Sequence, residues 1–238
     1  MDDTKAYMGN ELDLFSAAIR WRKYLCSKIS AVIGAEVLEV GAGIGTNTIA
    51  LCETRHKRWL CVEPDGNLAS KLSSKIRRNF NLAAVELRQG TLESIRDSGY
   101  FDTVLYIDVL EHIKDDRREI ELAIKSLNRE GRLVVVAPAH QCLYSPFDHA
   151  VGHFRRYDKK LLRSIVPSGL ELEQLYYLDS AGMAASIGNL LFLRKSIPEM
   201  KEILFWDKWL IPASIWLDPL FCYKIGKTIV GVWRKTAN

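Results

Sequence analysis

The stretch VLEVGAGIGTNT, residues 37–48, sets Gly41, Gly43 and Gly45 into five positions directly after an apolar run. A glycine turn at the end of a strand lets the backbone approach a ligand closely, and a following helix N-terminus favours phosphate. Dinucleotide sites use the spacing G-x-G-x-x-G. Here the spacing is G-x-G-x-G, and Thr46 holds the place of the last glycine. The loop lacks a Lys followed by Ser or Thr, which excludes a P-loop. Glu39, two residues before the first glycine, would repel phosphate but can support an ammonium group. Glu63, 18 residues beyond Gly45, ends the next apolar run. A carboxylate there can take both hydroxyls of a ribose.

Outward from this loop, apolar runs and amphipathic stretches alternate. Strands are expected at 36–40, 58–65, 83–90, 101–108 and 132–138. Helices are expected at 11–30, 47–55, 67–79 and 115–127, the second opening on an Asn or Thr cap and the last stopped by Gly131. This is the rhythm of βαβ units, hence of a mostly parallel sheet covered on both faces. The last third adds a helix at 158–169, strands at 170–180 and 227–235, and an antiparallel pairing at the sheet edge. Between those strands, residues 181–222 are apolar and aromatic and read as short helices broken by Pro198, Pro212 and Pro219. We expect one domain over 1–238, with a helical cap at 1–30 and a helical insertion at 181–222.

The 238 residues are 48% hydrophobic and 26% charged, as in an ordinary globular protein. A net charge of +4 is too small to argue for nucleic acid. The basic run KLSSKIRR (71–78) has no interleaved aromatics for base stacking, so no nucleic-acid partner is expected. Five scattered cysteines without a C-x-x-C pair fit reduced thiols in a cytoplasmic protein. The acidic, polar N-terminus is not read as a signal peptide, and no apolar run is long enough for a transmembrane helix.

E-x-G-x-G-x-G followed by an acid at the end of the second strand resembles the class I S-adenosylmethionine-dependent methyltransferases. The likeness runs over about residues 11–178, and YIDVLEHI (106–113) resembles the fourth-strand motif of that family. It implies a Rossmann-like, doubly wound α/β fold with a seven-strand sheet in the order 3-2-1-4-5-7-6. It implies that Gly41, Gly43 and Gly45 approach the methionine and ribose, and that Glu39 orients the loop or the ammonium. Glu63 would bind the ribose, Gly90, Thr91 and Leu92 would lie beside the adenine, and Asp108 would face the sulfonium. Thr91 departs from the Asp of many relatives, so a hydroxyl or backbone group would replace the acid contact to adenine. S-adenosylhomocysteine would be the product. His112, in the LEHI signature, reads as a packing histidine.

After the fifth strand, PAHQCLYSPFDHAVGHFRRYD (138–158) lies where open α/β sheets bind ligands. It resembles a subgroup with a SPFD…GHxRRY segment, whose relatives are associated with small molecules or sugar-lipids. His153 or His149 would be a general base with Asp148, since imidazole titrates near neutrality. His140, Tyr144, Arg156 and Tyr157 would line the acceptor, Tyr157 by closing over the cofactor or by packing. In the structural reading Asp148 pairs with Arg155 or Arg156 and fixes a lid. Asp148, His149 and His153 offer too few ligands for a metal, and Gly152 argues against the helix that would align them. The expected acceptor is a hydroxyl, or an amine, on a small metabolite or glycan-lipid intermediate. RNA or protein acceptors, and a non-catalytic binding protein, are the rivals. Phe192, Phe205, Trp206, Trp209 and Trp216 would wall an apolar acceptor pocket, form a homodimer surface or face a membrane.

Overall fold

The computed structural model describes residues 10–53, 55–95, 98–189 and 198–236. Seven strands form one sheet: β1 (Glu36–Val40), β2 (Arg58–Glu63), β3 (Val85–Gln89), β4 (Phe101–Ile107), β5 (Leu127–Pro138), β6 (Leu170–Leu178) and β7 (Thr228–Lys235). Their order is β3-β2-β1-β4-β5-β7-β6, as the resemblance implies. β1 to β5 pair in parallel, while β7 runs antiparallel to both β5 and β6. The antiparallel strand is therefore inside the sheet, and β6 forms the edge. β1, β2 and β4 are almost wholly buried because helices cover both faces. Val37, Trp59 and Leu105 point into one core and Leu38, Leu60 and Val104 into the other.

Ten helices among the described residues complete the chain: α1 (Asn10–Phe15), α2 (Ile19–Ile29), α3 (Thr46–Leu51), α4 (Gly66–Arg78), α5 (Asp116–Ser126), α6 (Pro146–Ala150), α7 (Lys159–Ile165), α8 (Ser180–Gly188), α9 (Met200–Phe205) and α10 (Ile211–Leu220). The single helix expected at 11–30 is two helices. Ala18 leaves helical geometry and offers no side chain to cap α2. Asp207 caps it instead, accepting from the N–H groups of Arg20 and Trp21 at 3.1 and 2.8 Å. The α3 cap also differs: it is Gly45, at φ +75°, not Asn or Thr. Nor does Gly131 stop α5, which ends at Ser126, because Leu127 already pairs with Phe101 in the sheet. The ladder is irregular there and resumes where Thr103 pairs with Arg132, so the NREG residues lie in a strand irregularity.

Pro212 does not break a helix either. Residues 200–220 run continuously through a widened π turn, Trp206–Leu210, and Pro212 enters just after it. A π turn releases backbone groups that proline cannot bond. Three buried aspartates pin this run. Asp218 accepts from Tyr24 Oη and from the N–H groups of Asp179 and Ser180. Asp179 accepts from Trp206 Nε1, Ser214 Oγ and the Gly182 N–H. Asp207 is the α2 cap. Trp206 is thus turned inward, whereas Phe205, Trp209 and Trp216 are exposed. Phe192 lies outside the described residues.

Candidate active site

The sheet order reverses between β1 and β4, and the loops leaving those two strands flank one crevice. On the β1 side, Gly41, Gly43 and Gly45 all adopt positive φ. Gly45 has no substitute: a Cβ there would lie 2.2 Å from Leu72 Cδ1. Gly41 and Ala42 donate to the Val62 carbonyl, which presses the loop against the end of β2.

Glu63 closes on this loop. Its carboxylate accepts from the Gly43 N–H at 2.7 Å and the Asp65 N–H at 2.9 Å. Burial raises its pKa, and those two backbone donors oppose the rise. Gly90 donates to the Glu63 carbonyl, which brings the β3 loop to the same point. Thr91 is exposed there, but the Leu92 side chain is buried in the core, so only its backbone can reach a ligand.

Glu39 does not reach the crevice. It is buried and accepts from Thr48 Oγ1 and Trp59 Nε1, both at 2.7 Å. It therefore ties α3 to β2. Burial raises its pKa, which the Thr48 and Trp59 donors partly offset. A raised carboxyl contributes stability below its unfolded pKa and loses it as pH rises through the folded value. Glu39→Gln keeps the two accepted bonds and removes the buried charge. We expect a stability gain over the wild type that grows between pH 4.5 and 8 in urea titrations. A gap that is constant or shrinks with pH would contradict this.

On the β4 side, Asp108 takes a left-handed conformation, φ +54°, and is exposed at the end of the strand. Surrounding protein raises its pKa, with His153 and Lys227 opposing. Behind it, Glu111 is fully buried and its backbone carbonyl accepts from the Phe154 N–H. The loop after β5 is thereby brought against β4. His112 and His153 meet edge to face, ring centres 4.5 Å apart.

Asp148 organises that loop. Its carboxylate accepts from His153 Nδ1 at 2.8 Å and from Arg156 Nε and Nη2 at 2.8 and 2.9 Å. Ser145 adds its N–H and hydroxyl, both at 2.8 Å. Burial would raise the Asp148 pKa, but the bonds from His153 and Arg156 outweigh it and hold it well below the carboxylate range. Gly152, at φ +85°, reverses the chain after α6 so that His153 folds back over Asp148. Asp148 therefore positions His153 and is not itself a base.

The other expected residues divide. Tyr144 donates to the His153 carbonyl at 2.6 Å and supports the same loop. Arg156 is occupied by Asp148, while Arg155 pairs with Asp116. Tyr157 faces no substrate: it is fully buried and donates to Asp116 and the Leu110 carbonyl. His140, also left-handed, sits against Tyr177 and the Gly226 carbonyl. His149 is exposed on α6, apart from the cluster. The residues gathered beyond β4 are Glu111, His112 and His153, with Asp108 in electrostatic reach. Glu111 was not singled out from the sequence, and the LEHI segment beside a later histidine was the signal for it.

The profile of a family described as a methyltransferase domain matches residues 38–133, from β1 into β5. A protein from Galdieria sulphuraria designated a sarcosine dimethylglycine methyltransferase aligns over 92% of this chain and 86% of its own, with TM-score 0.63 and 15% identity. Coclaurine N-methyltransferase, solved with N-methylheliamine and S-adenosylhomocysteine, aligns over 92% and 71%, with TM-score 0.63 and 13% identity. The cyclase SpnF aligns over 97% and 95%, with TM-score 0.65 and 13% identity. At such identities the chain shares a fold with these proteins, and the cyclase shows that the fold hosts other chemistry. No curated protein matches the sequence. The family match over residues 38–133 and the shared fold support an S-adenosylmethionine-dependent methyltransferase. No helix among the described residues is long and apolar enough to cross a membrane, and the five cysteines are unpaired.

Proposed function

We propose that this methyltransferase moves a methyl group from S-adenosylmethionine to a hydroxyl of a small, moderately apolar acceptor. The observation that carries the reading is the Glu63 carboxylate, 2.7 Å from the Gly43 N–H at the point where strand order reverses. An acid beside a glycine loop suits a ribose diol and a cationic sulfonium, and is unsuited to a pyrophosphate. Gly41, Gly43 and Gly45 would admit the methionine and ribose, Gly90 and Thr91 the adenine side, and Asp108 the sulfonium side. When bound, the cofactor supplies an electrophilic methyl group, so alignment provides much of the acceleration.

On this reading His153 would act on the acceptor. Asp148 holds Nδ1, which turns Nε2 toward Glu111 and the crevice, where it can draw the proton from a hydroxyl. Tyr144 and Arg156 hold this loop rather than the acceptor. The unpaired cysteines fit a cytoplasmic enzyme. Exposed Trp209 and Trp216 with neighbouring Lys208 suit a peripheral contact with a membrane, or with a second copy of the chain.

Calorimetry with S-adenosylhomocysteine, with NAD as control, tests the reading. Glu63→Ala should weaken binding by ~2–3 kcal/mol, roughly 30- to 150-fold, by removing charge-assisted hydrogen bonds. Unchanged affinity, or binding of NAD instead, would overturn it.

A further inference from the structure

Glu111 is a fully buried carboxylate, and neither of its oxygens accepts a hydrogen bond from any described residue. An ionised acid left in that state is costly unless something cationic satisfies it. The nearest candidates are imidazoles. His153 Nε2 lies 3.9 Å from Glu111 Oε1, and one ligand atom from each of Glu111, His112 and His153 falls within 4.8 Å of the others.

Both imidazoles are held from behind. Asp148 Oδ1 takes His153 Nδ1 at 2.8 Å, which leaves Nε2 for the corner. The Val151 backbone hydrogen-bonds the His112 imidazole. A carboxylate or carbonyl behind each histidine is the outer support that metal-binding imidazoles use to fix ring and tautomer. Asp108 stands within electrostatic reach of both Glu111 and His153, and Asp148 adds a third carboxylate. Arg156 is already committed to Asp148. The corner therefore favours a cation.

We propose that Glu111, His112 and His153 bind one divalent first-row metal ion. Two imidazoles and a carboxylate suit manganese, iron or zinc better than calcium or magnesium. Ligand bonds of about 2.0–2.2 Å would draw the three side chains together by rotation about their terminal bonds. Three protein ligands leave positions open toward the crevice. The site rests on the described cluster and stands apart from the identity of the methyl donor.

The test is calorimetric titration of the chelator-treated full-length chain with Mn²⁺ and, separately, Zn²⁺, with Mg²⁺ and Ca²⁺ for contrast. One saturable equivalent of Mn²⁺ or Zn²⁺ is expected, with a rise in melting temperature. Glu111→Gln, which keeps shape and loses charge, should weaken it at least 10-fold, and His153→Ala likewise. His149→Ala, outside the cluster, should bind as the wild type does. Absence of saturable binding, or full affinity in folded Glu111→Gln, overturns the site. S-adenosylhomocysteine binding, measured on the same samples, reports on the methyltransferase reading independently.

Discussion

Asp148→Ala should lower the unfolding free energy by about 3–5 kcal/mol, the usual cost of removing one member of a buried, hydrogen-bonded ion pair. Asp148 has no exposed surface, and five donor groups converge on its two oxygens. Truncation strands the Arg156 guanidinium, whose side chain is only 13% exposed, beside an unanchored His153. Urea denaturation reads the loss directly, and a change below about 1 kcal/mol would show that the cluster adds little. Asp148→Asn should fall between, because it keeps shape and some hydrogen bonding while losing charge. If the fold survives, methyl transfer should drop while S-adenosylhomocysteine affinity holds, since Asp148 touches the acceptor side only through His153.

Asp179→Ala should be nearly as damaging, by about 3 kcal/mol or more, for a different reason. Its carboxylate satisfies Trp206 Nε1, Ser214 Oγ and the Gly182 N–H, all at 2.7–2.9 Å, with Lys227 Nζ at 3.4 Å. Its backbone is left-handed, φ +65°, where aspartate is tolerated better than alanine. The substitution leaves several buried donors without acceptors and adds backbone strain. Trp206 fluorescence should report the opening of the α8–α10 packing. A midpoint of denaturation close to the wild type would mean that water replaces the carboxylate without penalty.

The loop, Glu63 and the parallel strands were legible in the sequence because each depends on local spacing. Strands buried on both faces read as unbroken apolar runs, and glycines forced to positive φ stand at fixed offsets from them. The break between α1 and α2 was hidden because its cap, Asp207, is 186 residues away. Of the two roles open to Tyr157, closing over the cofactor or packing, the sequence around it could not choose, since the strand bridge that turns it inward is not a local pattern. Tyr157 bridges to Ala139 beside β5, and its side chain turns into the core. Glu111 escaped notice because only the fold carries residues 111–112 against residue 153. A helix-period or strand-period pattern holds no trace of that meeting.

β7 is the last strand in the chain and lies between β5 and β6. During synthesis, a ribosome that has delivered everything up to residue 227 has made two strands whose mutual neighbour does not yet exist. β5 then shows a bare backbone edge of apolar residues, and β6 has nothing to pair with. The same nascent chain has an α2 whose cap arrived only with Asp207. Distant parts of the polypeptide wait for each other, so native closure requires β7 to be delivered and does not simply proceed from the N-terminal side. Translation that halts before Thr228 yields an open, edge-exposed sheet suited to degradation or aggregation, not a smaller enzyme.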